Sequence, residues 1–380
     1  MTLEIAGNNK DSYCVRKSSL RLPEKGVNPT TNQRQARFPP SPLARKKEVK
    51  TFGNVNFFGN SSGSSCLFWQ QKSYMRPEVD KTVNKRGNKM VFVCDLGFSS
   101  LKWIFGDQKG RIISAHRRTH DGRILVGDEA LMTAGSSYLK TVEDLVHFYP
   151  TFVEVAANAG HVPEKAPLIV GIPYSAWAAD KDSPAGAVST LTKVLNGSGW
   201  PDVRVLPQGL GGIRLFMEQN PGTKGNVLAV DIGFNTVIFT LFAAGPRSII
   251  YGDTFYKRGV HQMATQLLLP NIRELAPSRT FTPVEVSYLI ERGYIQYGFE
   301  RHDISQEIEK AAKTYIEDVL RDINGELQAH LGLKAVFETV LVFGGGATLI
   351  RDTISSSRVN IRILPEPEFA NAAGFALADG

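Results

Sequence analysis

Between residues 90 and 380 the apolar positions fall into short runs closed by turn signals, and the opening runs occur twice. Val91–Cys94 and Leu101–Phe105 read as strands on either side of an Asp-x-Gly turn, and "DQKG" reads as a second turn before a third strand. The stretch "VFVCDLGFSSLKWIFGDQKGRII" (91–113) aligns without a gap within "VLAVDIGFNTVIFTLFAAGPRSII" (227–250), at a constant offset of 231 − 95 = 136 residues. Asp95 sits over Asp231, Gly97 over Gly233, Phe98 over Phe234, Arg111 over Arg247 and Ile113 over Ile249. Asp and Gly are ordinary turn formers, so one copy could be a plain hairpin. Two copies argue for a duplicated domain.

After each copy the pattern alternates between helix and strand. In the first half, 141–160 reads as helix, 167–173 as a buried strand broken by Pro173, and 203–219 as strand, glycine turn and helix. In the second half, 258–272 starts a helix after Gly259 that Pro270 is expected to end. Residues 304–332 form a long amphipathic helix with Ile308, Ala312, Tyr315, Val319, Ile323 and Leu327 along one face and Gly332 as its stop. Residues 339–354 read as strand, triple glycine and helix. Such alternation predicts α/β halves with helices covering mixed sheets.

Charge divides the chain differently. Residues 1–89 carry 17 Lys and Arg against 6 Asp and Glu, a net of +11. The whole chain is +7, so residues 90–380 sum to 7 − 11 = −4. The arm is proline-rich and polar, without a sustained period, as in disordered chain. Three readings stay open for it: electrostatic binding to nucleic acid or acidic lipid, an organelle-type transit segment, or an extension that is not translated because synthesis starts at Met90. No apolar run is long enough to span a bilayer. Cys14, Cys66 and Cys94 show neither a disulfide framework nor metal-ligand spacing, which suits a reducing cytoplasm.

Glycine turns expose backbone amides to an anion. Gly97–Ser100 and its echo Gly233–Thr236 can therefore approach a phosphate tail from two sides. The repeat breaks at Lys102, matched by Ile238. Lys102 alternates with apolar neighbours, which points it into a cleft, where it would meet phosphate oxygens, unless it is a solvent-facing strand lysine. When ionised, Asp95 and Asp231 are acceptors only, so beside phosphates they would act through Mg²⁺ and its waters; the plain alternative is turn capping. Gly344–Gly346 opens a helix after a strand, where a flat base or an α-phosphate can approach.

In order, "DLGFSSLK", "DIGFNT" and "VFGGGATLI" resemble the phosphate-1, phosphate-2 and adenosine motifs of the actin, sugar-kinase and heat-shock ATPase superfamily. "GIPYSAW" (171–177), "VLPQGLGG" (205–212), "YGDTFYKRGV" (251–260) and "ANAAGFALADG" (370–380) bring it nearest the plasmid-segregating ParM (StbA) group. The resemblance covers 90–380 and implies a two-domain actin-like fold, two ribonuclease-H-like domains around a nucleotide cleft. Domain I would be 90–220, with a C-terminal helix 364–380 packing back on it, and domain II 221–363. It implies ATP (or GTP) with Mg²⁺, bound by Asp95, Gly97, Ser99, Ser100 and Lys102, by Asp231, Gly233, Asn235 and Thr236, and by Gly344, Gly345 and Gly346. Asp95 and Asp231 would hold the metal through water. Gln208, after "LP", takes the position that orients the attacking water, unless it is a surface turn residue. With Asp231 it would serve slow hydrolysis. The group's usual Gly-Thr-Thr is replaced by "FNT", and Phe98 and Phe234 are expected as core packing beneath the two turns.

The resemblance further implies self-assembly into cytoplasmic filaments and a DNA-bound adaptor of the ParR kind, with no sequence-specific DNA contact by the body. A small-molecule kinase of the same superfamily is the alternative, although no acceptor-binding insertion is evident. A chaperone-like switch lacks a peptide-binding domain after the body, and a membrane-bound cell-shape actin would want an apolar inserting helix.

Overall fold

The structure, a computed structural model, describes residues 90–379 apart from 164–165, 276–280, 282, 333–335 and 351–359; the expectations for the basic arm lie outside the described residues. An antiparallel meander of β1 (Phe92–Leu96), β2 (Ser100–Phe105) and β3 (Gln108–Ile113) begins the first sheet. A small sheet of β4 (Ala115–Arg118), β5 (Ile124–Val126) and β6 (Ser137–Tyr138) follows. The helix Val142–Ala159 leads to β7 (Leu168–Ile172), parallel to β1, and β8 (Val203–Pro207) lies parallel to β7. The second sheet repeats this with the meander β9 (Asn226–Ile232), β10 (Thr236–Ala243) and β11 (Ser248–Tyr256). A separate hairpin, β12 (Tyr294–Tyr297) and β13 (Glu300–Asp303), precedes the helix Ser305–Leu331. Then β14 (Thr339–Phe343) and β15 (Ile361–Ile363) add in parallel. The orders β3-β2-β1-β7-β8 and β11-β10-β9-β14-β15 are the same topology twice.

The repeat is in register where it matters for the turns and drifts beyond them. Asp95 pairs across β1–β2 with Lys102, and Asp231 pairs across β9–β10 with Ile238. The first hairpin turns at Gly106–Asp107, not at "DQKG", whose Gln108–Gly110 already belongs to β3. The second turns at residues 244–247 after longer strands. Lys102 therefore pairs with Arg111, whereas Ile238 pairs with Thr254. Arg247 sits in the turn at φ 54° and is no structural counterpart of Arg111.

Local rules account for the two longest helices. Thr141 and Asp144 form a reciprocal capping box that starts Val142–Ala159. Leu145, Tyr149, Phe152, Val153 and Ala156 then face the first sheet's core. Helix Ser305–Leu331 buries Ala312, Tyr315, Val319, Ile323 and Leu327 against the second core, and Gly332 closes it at φ 58°. Pro270 does not end its helix. The wide π-turn Met263–Leu268 precedes it, and helix continues over Leu269–Ile272. Widening the turn relieves the clash between the proline ring and the preceding carbonyls. After the triple glycine the chain makes a short 3₁₀ turn, Ala347–Ile350, where a full helix is expected; residues 351–354 lie outside the described residues. The C-terminal segment is helical over Ala370–Ala376, flanked by 3₁₀ turns, and not over the whole of 364–380.

Two helices join the sheets. Ile213 and Phe216 of helix Leu210–Gln219 pack with Val227, Ala229 and Phe343 of the second sheet. Ala372 and Phe375 of the C-terminal helix pack on Val93 and Ile169 of the first. The helices touch at glycine: a Cβ on Gly374 would collide with the Gly211 carbonyl, and one on Gly211 with the Asn371 backbone.

Candidate functional site

The ends of β1 and β9 face one cleft of about 230 Å³, with the turns that follow them on its walls. Asp95, Gly97, Ser99, Ser100, Lys102, Gln208, Asp231, Gly233, Thr236 and Gly344–Gly346 all line it. Asn235 is not among the lining residues. Asp95, Lys102, Gln208 and Asp231 are buried, each less than a tenth exposed. That burial removes the solvent-facing alternative for Lys102 and the surface-turn alternative for Gln208.

The turns are closed by their own glycines. Gly97 N donates to Ser100 O at 3.1 Å, and Gly233 N donates to Thr236 O at 2.8 Å. Both amides are committed to the turns, contrary to the expectation that they face an anion. The third turn is pressed against the second: Gly346 N donates to Ile232 O, and a Cβ on Gly344, at φ +88°, would strike Asp231. At Gly345 a Cβ would meet nothing within 4 Å, so this residue borders open space.

Phe98 and Phe234 share a sequence position but not an environment. Phe98 is buried in the first core beneath its turn, as expected. Phe234 is half-buried, stands edge-on to His261 at 5.4 Å and lies outside the core. A helix start sits against the second turn: Val260 N and His261 N donate to the carbonyls of Gly233 and Phe234.

The electrostatics centre on two carboxylates and one ammonium. Burial raises the Asp95 carboxyl, opposed by the Lys102 charge and by hydrogen bonds from Gln208 and Asn371. Burial, then the Asp95 charge, pushes Asp231 up to about 7, opposed by the Asn371 hydrogen bond and Lys102. Gln208 Nε2 donates to Asp95 Oδ1 at 2.7 Å and to Leu96 O at 3.2 Å. Two like charges held together in a dry cleft favour a cation between them. Among the described residues no cluster of three or more His, Cys, Asp or Glu could hold a metal by itself. The donor set therefore suits Mg²⁺, which keeps waters and takes part of its shell from substrate phosphates, better than a cage-bound ion.

Sequence reasoning missed several residues. Asn371 is buried, donates to Asp231 Oδ2 at 2.6 Å and accepts from Gly209 N at 3.0 Å. It falls within "ANAAGFALADG", a stretch whose resemblance gives it no role. Arg111, Tyr138, Tyr288, Glu291, Leu349 and Glu368 also line the cleft, and no local signal marks them. Beneath the site, the Tyr149 hydroxyl accepts from Leu96 N and Gly171 N, both at 3.1 Å, where β1 and β7 part.

Residues 229–356 match the family model described as archaeal actin homologue MreB-like, C-terminal. No curated protein matches the chain in sequence. Among solved structures, a 15-stranded ParM filament from Clostridium botulinum superposes with a TM-score of 0.58 at 16% identity, over 77% of this chain and 99% of that one. An archaeal actin homologue in complex with ADP gives 0.56 at 15% identity, over 76% and 98%. A MamK double helical filament gives 0.56 at 16%, over 77% and 99%. What is common to all three is the fold, a two-domain α/β architecture of the ParM- and MreB-like actins, and it is the fold of this chain.

Proposed function

We propose that this actin-fold chain binds ATP with Mg²⁺ between its two sheets and couples slow hydrolysis to filament assembly, in the segregation of plasmid or other DNA in the cytoplasm. One observation supports the nucleotide reading above the others. Asp95 and Asp231, equivalent positions of the two sheets, reach the same cleft and share one buried lysine. A structural hairpin has no use for such an arrangement, because each buried carboxylate costs stability unless it is paired.

The residues divide the work as follows. Asp95 and Asp231 would hold Mg²⁺ through its water shell, and the ion would neutralise charge on the β- and γ-phosphate oxygens. Lys102 supplies a compact positive charge from the first sheet. Gln208 donates a hydrogen bond to Asp95, and its amide oxygen would orient the attacking water. A glutamine amide is a poor general base, which fits slow turnover. Gly345, bordering open space, lets a base or ribose approach the third turn.

Self-association is supported by filament-forming proteins of the same fold, and a DNA-bound adaptor of the ParR kind rests on the motif resemblance alone. Light scattering and pelleting of the full chain with Mg²⁺ and ATP, GTP, ADP or no nucleotide test the reading. Assembly with a triphosphate alone is expected. A protein that stays monomeric with a non-hydrolysable ATP analogue at high concentration ends the filament reading, and phosphoryl transfer to a small acceptor would replace it with a kinase.

A further inference from the structure

One charged stripe crosses the first sheet at right angles to its strands. Asp95 on β1 pairs with Lys102 on β2, and Lys102 pairs with Arg111 on β3, so the three side chains share one face. All three line the cleft. Cross-strand partners have Cβ atoms about 5 Å apart, and like charges directly opposite one another are destabilising. Asp95 offsets Lys102. Arg111 is left with Glu368, which reaches the cleft from the 3₁₀ turn Pro367–Phe369.

That pairing is loose. Arg111 Nη1 stands 3.5 Å from Glu368 Oε2, with side chains 53% and 37% exposed. The neighbouring pair is shorter, though also exposed: Lys109 Nζ lies 2.5 and 2.6 Å from the two oxygens of Glu366 and 5.2 Å over the Phe369 ring, with side chains 41% and 67% exposed. Lys109 and Arg111 lie two residues apart on β3 and so point the same way. Lys109 thus ties β3 to the chain leading into the C-terminal helix, while Arg111, on the same face, is held weakly at the cleft. A half-exposed ion pair of that length is weak, because water screens it. A polyanion in the cleft would compete with Glu368 for the guanidinium, and its charge would relieve the repulsion between Arg111 and Lys102.

We propose that Arg111 is a further phosphate-binding residue of the cleft and that Glu368 is the counter-ion it leaves when a nucleotide enters. The inference rests on the nucleotide reading above and adds to it a residue outside the three motifs. Guanidinium suits the role because its fork can meet two phosphate oxygens at once.

The two partners should respond in opposite directions. Calorimetric titration of ATP, ADP and adenosine into the full-length wild type, Arg111→Ala, Arg111→Lys and Glu368→Gln is the test. Arg111→Ala should weaken ATP and ADP about tenfold and leave adenosine unchanged, and Arg111→Lys should recover part of that loss. Glu368→Gln should bind ATP as tightly as wild type or tighter. A purely structural pair predicts that Arg111→Ala and Glu368→Gln weaken ATP alike, and that result overturns the inference, as does an Arg111→Ala protein with undiminished ATP affinity. A wild type that binds no nucleotide would overturn the parent reading and this one with it, and the wild-type titration alone reveals that case.

Discussion

Asn371 Nδ2 lies 2.6 Å from Asp231 Oδ2, a buried contact between residues 140 apart in sequence. The same amide's oxygen accepts from Gly209 N, whose residue sits at φ +92° in the turn after β8. One side chain on the C-terminal helix therefore holds a carboxylate of the second sheet and a turn leaving the first. Asn371→Ala strands both partners in a buried place and should cost about 1–3 kcal/mol in urea unfolding. Asn371→Asp sets another carboxylate against Asp231, so above neutral pH it should be less stable than the alanine variant.

Asp231 makes stability depend on pH in a defined direction. Its folded value is raised to about 7, by burial first and the Asp95 charge second. An unfolded aspartate titrates near 4, so between about pH 4 and 7 the native state keeps a proton that the unfolded state has lost. Stability of the nucleotide-free protein should therefore fall as pH rises through that window, by up to about 1.4 kcal/mol per pH unit. Asp231→Asn should flatten the profile and raise the melting temperature at pH 8, while sharply slowing hydrolysis. An unchanged pH profile in the variant would show that Asp231 is not the titrating group.

The helix crossing at Gly211 and Gly374 leaves no room for a methyl group. Gly374→Ala must push helix Ala370–Ala376 off helix Leu210–Gln219, at a cost of about 3 kcal/mol, the upper end of ordinary overpacking. Gly325→Ala is the matched control, since its Cβ meets nothing within 4 Å on the exposed side of a long helix. It should stabilise the protein by up to about 1 kcal/mol. Thermal unfolding of both variants checks the pair.

Removing the Tyr149 hydroxyl should loosen the site from below. Tyr149→Phe leaves Leu96 N and Gly171 N without their buried acceptor, beside Asp95 on β1. A loss of about 2 kcal/mol or more is expected, with faster amide exchange at Leu96 and Gly171 than at the remote helix Ser305–Leu331.

The duplicated meander, the long helices and the residue types of the cleft were legible in the chain itself. The reason is that strand alternation, capping boxes and helical periodicity act over a few residues and leave their mark in the order of side chains. The buried face from Ala312 to Leu327 follows from such spacing alone, whereas the Thr141–Asp144 capping box came from the structure. Where local rules compete with packing, the chain misled: "DQKG" is mostly strand, Pro270 sits inside helix, and Arg247 does not echo Arg111. The pairings that define the cleft join residues more than a hundred positions apart, such as Gln208 with Asp95 and Asn371 with Asp231. No local period encodes them. They exist because two sheets and two crossing helices bring those positions together, and burial there, by removing water, decides how strongly each charge feels the next.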